Sequence, residues 1–433
     1  MGINMAVAQV DPALAAALQG ILDNQVNNVG HHGVSACVIM PDGEIWTGQS
    51  GVDEAGNNVA EETLFIAAST TKTHLATLYL LLQEEGLIDL DDSWTEHVTL
   101  PISVNPSITI RQLLSHTSGI DDYLESQVNA DLWLDPEHAY TPDEILTDFV
   151  PELALFSPGT DFQYSNSNYL ILGKMAEAIT GNSLAAELRS RIWEPLQLEH
   201  TYLGGFETTV DPFAGIWWNF GQGVTPYNDI SHNAMYTYAF GAGNILTTPH
   251  DEATFLRALV GGELISPESW QEMTAFVPWS NASWTSGYGL GIHHADGDAG
   301  DEILGHDGYY LNLTSMFHSE LYGFTAVTMT NTQQGWFGIF NPVYDELSSF
   351  LNIDDSQDST PEVLVYPNPS AGQVTIRSAD TAGITHLEIL DSTGRTAFRS
   401  QPNMNNPDLA LSLEPGMYLV RTGTGISIPL IVQ

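Results

Sequence analysis

Phe65-Ile66-Ala67-Ala68-Ser69-Thr70-Thr71-Lys72-Thr73-His74-Leu75 joins a short strand-like run, Thr63 to Ala67, to a strongly apolar helix that runs to about Gly86. On a helix, positions i and i+3 share a face, so Lys72 can set its amine beside the Ser69 hydroxyl. A serine hydroxyl is a poor nucleophile at neutral pH, and a neutral amine within hydrogen-bond reach can take its proton. The chain has two lysines, Lys72 and Lys174, and the residue three before the second is Ile171, so Ser-x-x-Lys occurs once. Taken alone the pattern is weak, and the rest of the chain decides what it means.

Outward from this stretch, the spacing of Leu14, Leu18, Ile21, Leu22 and Val26 predicts a helix from Asp11 to about Val29, with Asp11 as N-cap and Pro12 at the first helical position. Gly33 to Ser50 reads as a hairpin around Pro41-Asp42-Gly43. Helical pieces and long loops follow from about 90 to 260, among them Ile110 to Leu114, Pro142 to Val150, Asn168 to Ile179 and His250 to Val260. Strand patterns return at Gly287 to His293, Leu311 to His318 and Gly323 to Thr330, and a helix from Pro342 to Leu351 closes the region. Strands at both ends with helices between predict an α/β (α+β) domain over 11–351, its sheet receiving both ends and a helical insertion in the middle. Residues 352–360 are a polar, acidic linker by composition. From 361 to 433 the pattern changes to period-two alternation broken by Gly, Pro and Asn, as in a small β-sandwich.

The chain of 433 residues carries 54 acidic and 10 basic side chains, a formal charge of −44. Of these, residues 1–360 hold 48 acids against 6 Lys or Arg, and 361–433 hold 6 against 4. No basic surface is on offer, so nucleic acid and anionic membranes are excluded as partners. An acidic, lysine-poor surface points to a protein kept soluble in high salt, or to an acidic secreted protein. Cys37 is the one cysteine and reads as a small buried apolar residue. No apolar run is long enough to span a membrane. Residues 1–10 lack a charged segment and apolar run, yet Ala6-Val7-Ala8 has the small-x-small form of a signal-peptidase site. We therefore expect the chain to start inside a signal peptide; retention of Met1 in the secreted protein, read by mass spectrometry, would exclude this.

A serine–lysine pair also needs a proton donor for the leaving group, groups that hold the substrate, and backbone donors for the oxyanion. Tyr164-Ser165-Asn166, just before a helix, can aim a phenol and an amide into a cleft. His306-Asp307-Gly308 opens the late strands, with a glycine that allows close approach of substrate to the backbone. With these three segments in order, residues 11–351 resemble the serine β-lactamase and penicillin-binding-protein superfamily. The branch is that of class C β-lactamases, D,D-carboxypeptidases and family VIII esterases, with motifs Ser-x-x-Lys, Tyr-x-Asn and Lys/His-x-Gly. Leu113-Leu114-Ser115-His116-Thr117-Ser118-Gly119, Gly241-Ala242-Gly243-Asn244 and Tyr288-Gly289-Leu290-Gly291 are similar to further family segments. The resemblance implies an antiparallel sheet flanked by helices and an acyl-enzyme mechanism without cofactor or metal. It implies that Ser69 attacks, Lys72 is the base, Tyr164 shuttles the proton and Asn166 binds the acyl side. It places the backbone N–H groups of Ser69 and Tyr309 in the oxyanion hole, and His306 and Gly308 in substrate binding, His306 in the place of a cation.

Other features read more plainly. His116 holds its loop, and Lys174 is a surface residue. His31-His32 and His293-His294 suggest zinc, but neighbours in a strand point to opposite faces. Asp296-Gly297-Asp298-Ala299-Gly300-Asp301 is a polar hairpin tip more than a calcium loop. No Lys or Arg lies between Arg257 and Arg377, and Asp307 adds negative charge, so a neutral ester, amide or peptide bond is expected over an anionic substrate. D,D-carboxypeptidase or β-lactamase activity is the alternative, and a non-catalytic wall-binding protein is the alternative of another class. Phe213, Trp217, Trp218, Phe220, Tyr227, Tyr236 and Tyr238 form an apolar acyl pocket or belong to the core. Tyr366-Pro367-Asn368-Pro369-Ser370, Asp391-Ser392-Thr393-Gly394-Arg395 and Pro415-Gly416-Met417-Tyr418-Leu419-Val420 resemble the type IX secretion sorting domain of Bacteroidetes-type bacteria. That resemblance implies the type IX machinery as a partner and a secreted or cell-surface location; a carbohydrate- or wall-binding β-sandwich is the other reading.

Overall fold

The computed structural model describes residues 10–124, 135–219, 224–227, 230–279, 285–310, 312–332 and 338–352, and the segments 363–366, 373–378, 387–391, 395–400, 408–413, 416–422 and 427–432. The N-terminal stretch up to residue 9, the linker from residue 353 and Phe220 lie outside them. The chain divides into two compact units, 1–347 and 348–433.

In the first unit, helix α1 is Pro12–Asn24, and Asp11 Oδ1 accepts the Ala13 and Leu14 amides at 2.7 and 3.2 Å, as an N-cap should. Leu14, Leu18 and Leu22 turn its apolar face inward. Strands β1 (Gly33–Ile39) and β2 (Ile45–Gly51) pair as the expected hairpin. Strand β1 is buried at every position, Cys37 included, because α1 covers β2 and the helix Pro249–Val260 covers β1. After β3 (Phe65–Ile66) comes α2, Thr71–Glu84, whose side chains from Thr71 to Leu80 are all buried. The middle of the unit is helical, with Ile110–Leu114, Pro142–Asp148 and Asn166–Thr180 in the order read from the sequence. Gly181 closes the last of these in a left-handed conformation, at φ 75°. The short strands β4 (Tyr202–Leu203) and β7 (Ile245–Thr247) join β3 in a small sheet, and β5 (Trp217–Asn219) and β6 (Val224–Pro226) form a ribbon.

The late strands are β8 (Val277–Pro278), β9 (Thr285–Tyr288), β10 (His293–Asp296), β11 (Glu302–Tyr309), β12 (Leu313–Ser319) and β13 (Thr325–Thr330). With β1 and β2 they make one antiparallel sheet in the order β2-β1-β13-β12-β11-β10-β9-β8. The first and last parts of the domain thus meet side by side, from Val34↔Thr330 to Ile39↔Thr325. Two details depart from the sequence reading. Gly287 to His293 is not one strand but the end of β9, a turn, and the start of β10, closed by Gly289 N–H donating to Ile292 O at 2.8 Å. His306-Asp307-Gly308 lies toward the far end of an eight-residue strand whose glycines, Gly305 and Gly308, weaken its signal in the sequence. Asp296 to Asp301 is a hairpin tip, where Asp301 accepts from Ser319 Oγ, Tyr344 OH and the Leu321 amide at 2.7 to 2.9 Å.

The second unit holds two antiparallel sheets. Val363–Tyr366, Gln373–Ser378 and Asp408–Ser412 form one; Thr396–Ser400, Leu387–Asp391, Gly416–Thr422 and Ser427–Val432 form the other, neighbours in that order.

The β9–β10 turn packs against the helix that carries Lys72. Gly291 sits at φ 67°, Thr73 Oγ1 donates to its carbonyl at 2.7 Å, and a Cβ there would lie 2.6 Å from the Lys72 carbonyl. Gly291→Ala is expected to cost about 1–3 kcal/mol, read as a lowered midpoint in chemical denaturation. A midpoint equal to the wild type would mean that this turn does not brace the helix.

Candidate active site

The turn that carries Ser69 is built where β3 ends. Ala67 N–H donates to Ile245 O at 2.9 Å, tying the turn to β7, and Ala68 then takes a positive φ of 52°. That conformation is costly for a residue with a Cβ, and its surroundings hold it in place. Below the turn Thr70 is bonded to Glu252, and His74 Nε2 lies 3.1 Å from the same carboxylate, all three buried. On the other side is Gly308 of β11, where a Cβ would stand 2.2 Å from the Ala67 carbonyl and 3.2 Å from the Ser69 amide. Ser69 itself is half-buried among buried neighbours, so its hydroxyl is reachable.

Lys72 is fully buried, in the first turn of α2. Its Nζ lies 2.6 Å from Ala242 O, 2.8 Å from Asn166 Oδ1 and 3.1 Å from Ser69 Oγ. Both carbonyl oxygens can only accept, so they take two Nζ protons. The remaining position on nitrogen faces the serine. In the ammonium it is a third N–H; in the neutral amine it is the lone pair, aimed at the Ser69 hydroxyl. Burial draws the Lys72 pKa down to about 7, against the opposing pull of the Asp122 and then the Asp307 carboxyls. The neutral amine is therefore populated near neutral pH.

Tyr164 and Asn166 reach the same centre from the start of the Asn166–Thr180 helix. The Tyr164 ring is 5.0 Å from Lys72 Nζ. Burial raises its phenol well above the ordinary value, while the neighbouring Ser69 pulls the other way. The loop after Ile110–Leu114 positions this segment. His116, at φ 57°, accepts the Gln163 amide on its carbonyl at 3.0 Å and the Ser165 amide on Nδ1 at 3.1 Å. Asn166 Nδ2 donates to Asp122 Oδ2 at 2.8 Å, which orients the amide so that its oxygen faces Lys72.

A second chain of bonds fixes the charge on the third motif. The Asp307 carbonyl only accepts, so His306 Nδ1 donates to it, at 2.5 Å. His306 Nε2 then accepts from Tyr288 OH at 3.1 Å, and that oxygen accepts from His116 Nε2 at 3.2 Å. His116 Nδ1 is left to accept, as it does from Ser165. That arrangement has both imidazoles neutral, the state their burial favours. Burial, followed by the Lys72 charge, draws His306 down to about 3 and His116 well below its usual value.

His306 stands in the cation's place, but it is 1% exposed, pushed down by burial, and engaged through both nitrogens. The expectation for Gly308 also changes. Its missing side chain makes room for the turn that carries Ser69. His116 holds its loop as read, but it also bridges the second and third motifs. Lys174 lies away from this cluster, paired with Asp143 and Glu177 at 3.3 Å. Of the aromatics between 213 and 240, Tyr227, Tyr236 and Tyr238 are buried in the core. The aromatic wall of the site is instead Tyr164, Tyr288 and Trp279, with Trp279 stacked on Tyr164 at 5.8 Å. Asp122, Tyr288, Trp279 and His293 were missed as site residues, although His116 and Tyr288 stand in segments that the resemblance had singled out. His293 and His294 do face opposite ways: His293 is buried beside Asp307, and His294 bonds Ser286 at 2.7 Å. Among the described residues His293, His306 and Asp307 are the one grouping whose donor atoms, all within 4.8 Å of one another, suit a metal. Both His306 nitrogens already being bonded, the grouping reads better as part of the hydrogen-bonded array.

Residues 18–347 match the family model described as Beta-lactamase, and residues 364–428 match that of a secretion system C-terminal sorting domain, which marks a chain for type IX secretion to the cell surface or beyond. The chain is 28% identical over 299 residues to penicillin-binding protein 4 of Amycolatopsis lactamdurans, across 63% of this chain and 74% of that one. It is 26% identical to the teichoic acid D-alanine hydrolase of Staphylococcus aureus (strain MRSA252), across half of each chain. It spans 65% of the length of a Bacillus subtilis relative and half that of the hydrolase. Among solved structures, the D-amino acid amidase of Ochrobactrum anthropi SV3 complexed with D-phenylalanine superposes with TM-score 0.69 and 28% identity, over 78% of this chain and 99% of that one. A D-stereospecific amidohydrolase from Streptomyces sp. gives 0.66 and 28%, over 76% and 97%.

Two outcomes follow from the charge on Lys72. The kcat/KM for an uncharged ester should rise with pH through about 7, as the amine loses its proton, and level off above. Asp122→Asn removes a carboxylate that favours the ammonium, so this acid limb should move to lower pH. A limb that stays in place, in a variant with wild-type circular dichroism, counts against Asp122 setting the charge. Lys72→Ala should lower kcat by about 10²–10⁴-fold.

Proposed function

Because the chain belongs to the Beta-lactamase family of serine hydrolases, we propose that it cleaves an ester, amide or peptide bond through a covalent acyl-enzyme on Ser69. Lys72 takes the Ser69 proton as Oγ adds to the scissile carbonyl, and the oxyanion forms against the backbone amides of Ser69 and Tyr309. Tyr164 carries the proton on to the leaving group. Its phenol, raised well above its ordinary value by burial, stays protonated and gives up its proton only as it receives another. Water then repeats the sequence on the acyl-enzyme, with Lys72 again as base. The observation that carries this reading is the Lys72 nitrogen, whose two carbonyl partners leave only its third position for the serine.

The substrate is best taken as uncharged where a β-lactam or wall peptide carries its carboxylate. His306 is neutral, Asp307 adds an acid, and Lys72 must lose its charge to act, so nothing in the third motif pairs with an anion. The relatives support hydrolysis of amides and of D-alanyl groups, the former named for the solved structures and the latter for the staphylococcal hydrolase. D,D-carboxypeptidase or β-lactamase activity is the second reading, favoured by the penicillin-binding-protein relative. The sorting domain supports a substrate outside the cell.

On purified protein, kcat/KM should be higher for short-chain aryl esters and primary amides than for β-lactams; the reverse order would overturn the preference for neutral substrates. A reactive phosphonate should leave an adduct on Ser69 by mass spectrometry. Its absence from a folded protein would favour the non-catalytic wall-binding alternative.

A further inference from the structure

Glu252 stands in the first turn of the helix Pro249–Val260, is fully buried, and has no part in the chemistry derived above. Its neighbour Asp251 serves the chain near by, accepting the His200 amide at 2.8 Å and the Thr201 hydroxyl at 3.0 Å. Glu252 meets a different part of the molecule, the turn and helix that carry Ser69 and Lys72. One carboxyl oxygen is bonded to Thr70 Oγ1, and the other lies 3.1 Å from His74 Nε2. The Trp193 indole N–H can only donate, so His74 Nδ1 accepts it, at 3.4 Å, and Nε2 is left to donate to Glu252. Phe255 stacks on the same imidazole at 3.5 Å. Thr70, His74, Trp193 and Glu252 are all 0% exposed. An acid and an imidazole cost more to desolvate than apolar side chains of the same size, so filling this space does not call for them.

The array ends on the residue after Ser69. Thr70 brings two donors to the Ala67 carbonyl, its amide at 3.4 Å and its Oγ1 at 3.1 Å. The hydroxyl has one proton, and Glu252 keeps the oxygen in place whichever partner receives it. That carbonyl belongs to the peptide whose rotation is the φ of Ala68, held at 52°. Turning the peptide would relieve Ala68 and swing the Ser69 amide with it. We propose that Glu252, with His74, is a positioning residue: it fixes Thr70 against the Ala67 carbonyl, holds the strained turn at Ala68, and so aims the Ser69 amide at the oxyanion. The inference rests on the serine-hydrolase reading above and adds to it a group that never meets substrate. Its effect falls on the transition state, where the charge on oxygen develops, more than on substrate binding.

The test uses the full chain and p-nitrophenyl acetate, with kcat counted per site titrated to completion by a reactive phosphonate. In Glu252→Leu and in Thr70→Val, kcat should fall about 10- to 100-fold while KM stays within about twofold of the wild type. Thr70→Ser, which keeps the hydroxyl, should return kcat to near the wild-type value. An unchanged kcat per site in Glu252→Leu or Thr70→Val, with wild-type circular dichroism, would overturn the proposal. So would a fall that Thr70→Ser shares, which is the mark of general loosening. Failure of both Glu252→Leu and Thr70→Val to fold would overturn it too, by making the array structural only. All three results leave the hydrolase reading standing where the wild type takes the phosphonate on Ser69; a folded wild type without that adduct would bring down both.

Discussion

The Lys72 nitrogen is the point on which the rest of the site depends. It is held by three separate parts of the chain: the turn after β3 through Ser69, the helix beginning at Asn166, and the Gly241–Asn244 loop through the Ala242 carbonyl. Each contact lies within ordinary hydrogen-bond distance, so none of the three can shift without leaving a buried polar group unsatisfied. A buried ammonium is costly to desolvate, and its three hydrogen bonds offset part of that cost. The same burial makes the neutral form accessible. Stability and reactivity thus draw on one geometry.

Around this amine the protein keeps its other titratable groups in defined states. Asp307 O, His306, Tyr288 and His116 form a line of bonds in which every proton has one place, ending at the Ser165 amide that opens the second motif. The line ties the third motif to the second and keeps both imidazoles uncharged. A positive charge on either would press on Lys72 from a few ångströms away in a poorly screened interior. The two carboxyls act in the other sense. Asp122 orients Asn166 and holds up the Lys72 pKa, and Asp307 does so from the opposite side. The balance between burial and these two acids sets where the base is neutral.

Much of this could be read from the sequence, and for physical reasons. Asp11-Pro12 and Thr248-Pro249 are local start signals, and both helices begin where those signals place them. The alternating runs around Pro41-Asp42-Gly43 pair as expected because a hairpin is a local structure. Strand β11 was harder, since Gly305 and Gly308 break its pattern, and their reason is tertiary. Gly305 backs onto the Met316 carbonyl and Gly308 onto Ala67. Cutting Gly287 to His293 into two strands likewise follows from a contact across the fold, between Gly291 and the Lys72 carbonyl.

By itself the sequence determined that Ser69 and Lys72 stand three residues apart at a helix start, and the order of the three motifs. These rest on residue types at short spacings, and a helical i, i+3 relation holds wherever the helix is placed. Only the tertiary structure decided the charges. That His306 is neutral depends first on its burial and then on Lys72, which lies 234 positions earlier in the chain. That Asp122 belongs to the site depends on an amide 44 residues away. Burial and hydrogen-bond partners set the protonation of a side chain, and both are properties of neighbours that the fold assembles.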